Sequence, residues 1–530
     1  MSTKKKNYFF KYRKKAIFAR KKVLNGESAF AIILIYKSPR LSGRRRYGDN
    51  MEKYNIGITN RRTGKIDDKL FSSFLEQMGR AVYGGVYQPE NIHADENGLR
   101  KDVIGCVKES GVKYVRYPGG NFVSGYDWKA GIGPKNQRKA VKENAWKEIE
   151  PNTFGVDEFM DWAKKCGIEP IMAVNLGLGT PEEAAELVEY CNATVGYWAE
   201  KRKENGHAEP YNVKYWCMGN EMDGEWQIGH KTMEGYAAIA NKAAELMKAV
   251  DPTIKLIFCG SSTFDMPTFP EWDKYVVDNC FEHIDYLSCH SYYRYDRKPE
   301  NVGKFMESCD DFDRGITKVE NIIKEIKAKH KSDKQIKISC DEWNVWYMGE
   351  GTDKDSEWVV GPRREENVLS SLDATVVASL MCVLINHCDT VEISCIAQLI
   401  NVIPLILTDE NRAIKATIFY PFKYISQNMK GDVFECEIDK NDSKTISAFS
   451  YDESNGIGCL TVCNLSGNEI TINADLSGLP LKPCKVISMA GKEGEKNDFE
   501  NPLRVLPKER VVDGDITLDA YSWNVVIFGK

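Results

Sequence analysis

The chain is expected to be an α/β protein, a (β/α)8 TIM barrel followed by a C-terminal all-β sandwich of jelly-roll type. Three observations carry that expectation. Short apolar, β-rich runs alternate with stretches of helical period from residue 66 to 427, eight such units can be counted, and beyond residue 428 the helical period gives way to short alternating segments.

The strand candidates are 69–76, 113–117, 169–175, 213–219, 255–260, 284–290, 336–342 and 390–397, with amphipathic segments such as 156–166, 236–250 and 316–329 between them. The strands are rich in Val, Ile, Tyr and Cys with few charges until their ends, as parallel strands buried on both faces require. Their C-terminal ends turn polar, aromatic or glycine-rich: PGGN at 118–121, GNE at 219–221, HSYY at 290–293 and DEWNVW at 341–346. In a barrel these ends and the loops after them form the catalytic face. The tail has strand patterns at 445–451, 458–464, 469–474 and 522–528, punctuated by Asn455-Gly456 and Ser466-Gly467, and a strand at 54–59 is expected to join them. The chain thus divides into a barrel (66–427), a sandwich (51–65 plus 428–530) and a leader (1–50).

The net charge of -5 conceals an asymmetry, because residues 1–50 hold 15 Lys and Arg against Glu27 and Asp49. That leaves about -18 on the rest, a body that repels nucleic acid and anionic membrane, so a neutral sugar suits it better than a polyphosphate. The apolar stretch AFAIILIY at 29–36 is too short to span a bilayer and is followed by Lys37 and Arg40 rather than a cleavage site. The leader reads as disordered or artefactual, with Met51 as the start of the folded chain. The 16 cysteines show no CxxC pair and lie largely in apolar runs, which points to reduced, buried thiols and a cytoplasmic setting.

Two carboxylates stand out by position. Glu221 ends the fourth strand candidate and Glu342 the seventh, and a carboxylate at the end of a buried apolar strand is costly unless it is used or paired. Glycoside cleavage needs such a pair, one protonated to release the departing oxygen and one ionised to meet the anomeric carbon. The competing class is a sugar-binding protein without catalysis, whose mark would be a lost carboxylate; both are present. His290 reads as a hydrogen-bonding support, since no HExxH or clustered ligand set accompanies it, and no catalytic metal is expected. YPGG lacks the continuation of a phosphate loop. Thr180-Pro181 reads as a capped helix start.

The segments WCMGNEMDGEWQIGH (216–230), VRYPGGNFVSGYDWKAGIGP (115–134) and DEWNVWY (341–347) resemble the α-L-arabinofuranosidases of glycoside hydrolase family 51, and the resemblance runs on through AQLINVI (397–403) and IFYPF (418–422). It implies that Glu221 is the acid/base and Glu342 the nucleophile of a retaining reaction. It implies a sugar pocket made by Glu76, Arg116, Asn121, Asn220, Tyr292, Gln398 and Trp346, with no cofactor. The implied activity is exo-acting release of terminal non-reducing arabinofuranosyl groups from arabino-oligosaccharides by a cytoplasmic homohexamer. The alternative is another specificity on the same barrel, an endo-β-glucanase or β-xylosidase. Burial beside Trp216 or Trp226 and the charge of Glu342 would keep Glu221 protonated. Two departures from the family pattern stand out: Gln77 replaces an expected His, and Pro404 falls one position early. The glycine- and charge-rich stretch 349–364 is expected to form a lid loop.

Overall fold

The computed structural model describes residues 52–529 apart from Asn441 and Ser477, so the expectation for the leader lies outside the described residues. Strand β1 (Glu52–Lys65) belongs to the all-β region and is longer than expected. The barrel begins with β2 (Ser72–Phe74) and β3 (Tyr114–Tyr117); a hairpin of β4 (Val141–Glu143) and β5 (Glu148–Glu150) interrupts it. It is completed by β6 (Glu169–Val174), β7 (Tyr215–Met218), β8 (Lys255–Phe258), β9 (Tyr286–Tyr293), β10 (Lys337–Val345) and β11 (Val391–Ile396). These eight strands pair in parallel, each with its neighbour in sequence order, and β11 closes onto β2. Six of the eight sequence candidates contain one of them, while β9 and β10 begin within 284–290 and 336–342 and run three residues past them.

Local chemistry explains the helices between them. Thr180 caps Pro181–Asn192 by accepting from the Glu183 amide, while the Glu183 carboxylate accepts from the Thr180 amide, a reciprocal box that the sequence displays. Helix Val156–Cys166 occupies the bounds its apolar period suggests and ends at Gly167 in the left-handed region. Helix Ser371–Asn386 is different: every residue from Ser371 to Ile385 is buried, as a helix apolar on all sides must be. It lies between barrel and tail, with Thr375 donating to the Tyr521 carbonyl and Asn386 to that of Ser447.

After a small hairpin, β12 (Ile406–Thr408) and β13 (Ala413–Lys415), come β14 (Asp432–Ile438), β15 (Thr445–Asp452), β16 (Ile457–Asn464), β17 (Ile470–Asp475), β18 (Lys482–Ala490), β19 (Lys508–Val511), β20 (Ile516–Leu518) and β21 (Ser522–Gly529). Hydrogen bonding links them with β1 into one nine-stranded sheet in the order β19-β18-β21-β16-β15-β14-β1-β17-β20. Alternate residues feed two cores, as period-two strands should. Cys459, Ile487 and Val525 pack on the barrel side, whereas Leu460, Val486 and Val526 join Tyr54, Ile472 and Leu518 in a second core. Strands from both ends of the order share that second core, so the sheet curls upon itself. All cysteines are free, and all but Cys106, Cys436 and Cys484 are buried. No helix among the described residues is long and apolar enough to cross a membrane.

Candidate active site

The polar strand ends converge at the C-terminal mouth of the barrel. Arg116, on β3, is fully buried; its Nη1 donates to Glu342 Oε1 at 2.6 Å and its Nη2 to Asn220 Oδ1 at 2.6 Å. Tyr292, on β9, donates its hydroxyl to the other Glu342 oxygen at 2.9 Å. Glu342 therefore has one donor on each oxygen, and its reach toward the pocket is set by two strands that are not its own. Asn220 keeps its amide nitrogen almost free, 3.5 Å from both Asn121 Oδ1 and Gln227 Oε1, at a length where a sugar hydroxyl would compete.

Glu221 follows β7 with φ of 45°, a left-handed conformation that costs a non-glycine residue about 1–3 kcal/mol and persists where surrounding structure imposes it. Its carboxylate contacts His290 Nδ1 at 2.9 Å and accepts from Trp226 Nε1 at 2.9 Å. Burial is the largest influence on its proton affinity and raises it, as does the charge of Glu342; the His290 and Trp226 hydrogen bonds oppose them, and the balance lies above the ordinary carboxylate range. The expected role of Trp226 is thus corrected. The ring is 53% exposed and acts on Glu221 as a donor that favours the anion, not as an apolar cover. Trp216 is fully buried and donates to the Val213 carbonyl.

Glu76, two residues beyond β2, accepts from the Phe122 amide and from Trp146 Nε1, each at 2.9 Å. Gln398 accepts from the Glu76 amide at 3.0 Å and donates to its Oε2 at 3.3 Å. Burial, only partly offset by these donors, pushes Glu76 up to about 8. The PGGN motif makes room for it: a Cβ on Gly120, whose φ is 21°, would fall 2.3 Å from Glu76 Oε2. Asn121 then opens the short helix that follows. Trp346 lies edge-on to Tyr292, ring centroids 5.2 Å apart, and donates to Glu365 at 2.9 Å. Glu365 also accepts from the Gly349 amide, which ties the start of the 349–364 loop to the pocket wall.

Seven of the nine residues singled out from the sequence are linked by these contacts through Arg116, Tyr292 and His290, and Glu76 with Gln398 forms a second group beside them, bonded to the amide of Phe122 next to Asn121. Sequence reasoning missed Trp146, carried by the β4–β5 hairpin, whose charged residues hide its strands. The hairpin meets the 349–364 loop, with Ile149 donating to the Val359 carbonyl and Arg364 to Glu148. Gln77, where the family pattern suggests His, bonds none of the nine, donating instead to Tyr117 and to the Phe154 carbonyl. His290, expected as a hydrogen-bonding support, does bond Glu221, and its Nδ1 also lies 3.7 Å from Glu342 Oε2. Although burial works against it, Glu342, Asp341 and Glu221 hold its pKa well above the ordinary histidine value.

Glu221, His290 and Glu342 place one donor atom each within 4.8 Å of one another, the one grouping among the described residues with metal-ligand geometry. Arg116 and Tyr292 already occupy both Glu342 oxygens, and a cation there would sit against a guanidinium. The same proximity suits glycoside chemistry. Retaining enzymes hold their carboxyl groups about 5–5.5 Å apart, against about 6.5–9.5 Å where a water must fit between them.

Comparison with known proteins agrees. The family described as "Alpha-L-arabinofuranosidase 1 domain" matches residues 107–314, and "Alpha-L-arabinofuranosidase C-terminal domain" matches 341–522. An intracellular exo-α-(1→5)-L-arabinofuranosidase of Acetivibrio thermocellus is 40% identical over 493 residues, covering 88% of this chain and 97% of that one. The protein of the same name from Halalkalibacterium halodurans is 44% identical over 489 residues, with the same coverage. A solved family 51 α-L-arabinofuranosidase from Bifidobacterium longum superposes with a TM-score of 0.86 at 36% identity, covering 90% of this chain and 100% of its own. With its barrel, its paired strand-end carboxylates and relatives matched almost end to end, this chain belongs to the α-L-arabinofuranosidase family.

Proposed function

We propose that the protein is an exo-acting, retaining α-L-arabinofuranosidase that removes terminal non-reducing arabinofuranosyl groups from arabino-oligosaccharides in the cytoplasm. The observation that carries the reading is the Glu221–Glu342 pair, close enough for a covalent intermediate and placed in opposite electrostatic surroundings. Glu221 gives its proton to the departing oxygen while Glu342 attacks the anomeric carbon. In the second step a water attacks that carbon, passes a proton to Glu221 and frees Glu342. Glu76, Asn121, Asn220 and Gln398 supply hydrogen bonds to sugar hydroxyls, Tyr292 and Arg116 hold the nucleophile, and Trp346 walls the ring.

The names of the relatives support the sugar, the exo mode and the intracellular setting, and the free buried thiols suit a reducing compartment. Catalysis is assigned to 66–427, with 51–65 and 428–530 as one companion domain. The family resemblance extends the proposal to a homohexamer of the 60.1 kDa chain, which sedimentation velocity tests. The decisive experiment is Glu342→Ala. Turnover of 4-nitrophenyl α-L-arabinofuranoside should vanish and return in part with azide, yielding a glycosyl azide of inverted configuration. Undiminished turnover in the variant, or a parent that prefers the xyloside or carboxymethylcellulose, would overturn the reading.

A further inference from the structure

Asp341 precedes Glu342 on β10, and in a regular strand the two side chains would point to opposite faces. The pairing of β10 with β9 shifts register between Ser339 and Glu342, and that with β11 shifts between Cys340 and Trp343. Such irregularities re-aim side chains beside active sites. Here both acids reach Arg116: Glu342 at 2.6 Å, and Asp341, 2% exposed, at 3.5 Å from Arg116 Nε. The other Asp341 oxygen lies 3.4 Å from His290 Nε2. Three of these atoms, Arg116 Nε, His290 Nε2 and Asp341 Oδ1, are buried without a hydrogen-bond partner. Attraction between charges, rather than closed hydrogen bonding, therefore holds this layer beneath the catalytic pair.

A buried cluster of charges is tolerable when it sums to zero. With His290 as an imidazolium and Asp341 ionised, Arg116, His290, Asp341 and Glu342 cancel, which leaves Glu221 its proton in the resting enzyme. In the covalent intermediate Glu342 is an ester and carries no charge, while Glu221 has given its proton to the leaving group. Arg116, His290, Asp341 and the Glu221 carboxylate then cancel again. The sum stays at zero in both states provided that His290 and Asp341 are charged together or neutral together, and the Arg116 guanidinium 3.5 Å from Asp341 favours the charged pair.

We propose that Asp341 is a positioning residue, a permanent anion that keeps His290 charged and aimed at Glu221 while the charge on Glu342 comes and goes. Of the other groups that face the cluster, Glu76 lies near Arg116 and Glu342 and is pushed by burial up to about 8, so it keeps its proton near neutrality and adds no charge; the rest are thiols and a phenol. Cys217 lies 3.5 Å from Asp341, with Cys259 and Cys395 beyond it, and Tyr292 faces the two glutamates; burial keeps all four neutral. Asp341 itself stays below its usual range, against the pull of burial, through Arg116 and His290. Without it, His290 faces no anion but the changing glutamates and sheds its proton, so Glu221 loses its support when it must act as base.

The inference rests on the proposed retaining reaction, and its test separates the two. On a 4-nitrophenyl arabinofuranoside, whose good leaving group makes the second step limiting, D341N should lower kcat at least about tenfold and KM with it, leaving kcat/KM changed less than about threefold. The acid limb of the kcat profile should move to higher pH by about one unit, and D341E should recover part of the loss. By nitrogen-15 NMR of labelled histidine, assigned with H290N, His290 should remain protonated from pH 5 to 8 in the parent enzyme and titrate within that range in D341N. An unmoved pH profile in D341N, or a neutral His290 in the parent, overturns the proposal. The parent measurement stands even if D341N fails to fold. A parent that cleaves no arabinofuranoside would overturn the proposed function instead, while the NMR result would still decide the charge of His290.

Discussion

Two histidines, at two places in the barrel, sit in nearly the same trio of side chains and do different work. His290, on β9 at the catalytic mouth, lies between Glu221 and Asp341; His387, just past helix Ser371–Asn386 and ahead of β11, lies between Glu320 and Asp313, with both contacts closed at 2.9 Å. Asp313 is 53% exposed, so water shares its charge, and the His387 trio is a pinned ion cluster that ties one helix to the next. At His290 one contact is closed, the other is open at 3.4 Å, and the glutamate is the group that gains and loses a proton in the proposed reaction. The same chemistry, fully satisfied, contributes stability; left short of a bond and buried beside a second carboxylate, it is available for catalysis.

If that contrast holds, substitutions at the mouth should damage rate and leave stability, and those at His387 the reverse. The largest effect is expected for Glu221→Ala on natural oligosaccharides, a loss of about 10³–10⁴ in kcat with the melting temperature little changed, measured by arabinose release and calorimetry. With 4-nitrophenyl arabinofuranoside and azide the same variant should form a glycosyl azide of retained configuration. Tyr292→Phe removes one hydrogen bond from the Glu342 carboxylate and should lower kcat/KM about 10- to 100-fold, in line with the roughly 1.5–3 kcal/mol of a bond to a charged group.

His387→Ala should leave kcat/KM alone. Its imidazole is raised to about 9 by Asp313 and Glu320 although burial works against it. Because the folded value exceeds the unfolded one, its stabilisation is complete below about pH 6.5 and disappears as pH rises past about 9. Allowing for the exposure of Asp313, urea melts should show a loss of about 2 kcal/mol at pH 6 and almost none at pH 10. The smallest effect belongs to Trp146→Phe, which takes a donor from Glu76 and should raise KM about three- to tenfold while changing kcat less than about twofold. A kcat loss at His387, or a stability loss at Tyr292 as large as its rate loss, would erase the distinction.

The barrel and the two strand-end carboxylates were legible because burial leaves a mark on sequence. Strands such as YWCM at Tyr215–Met218 are apolar on both faces, so the carboxylate after them stands out. The capping box at Thr180 is equally local. What stayed hidden depends on departures from period or on distant partners. The β4–β5 hairpin has three-residue strands full of charge, and β19, KERV, is exposed throughout, so neither shows an apolar alternation. The register shift on β10 that turns Asp341 toward Arg116 leaves no trace in DEWNVW. His290 looked unremarkable because its three carboxylate neighbours come from β10 and the end of β7, far away in the chain.

The central claim is that Glu342 forms the bond to the sugar while Glu221 handles the proton. It is tested most directly by treating the enzyme with an activated 2-deoxy-2-fluoro-α-L-arabinofuranoside, which slows the second step, and mapping the label by peptide mass spectrometry. The account predicts one fluoroarabinosyl group per chain, on Glu342. A label on Glu221 or Asp341, or full turnover without any covalent label, would contradict it.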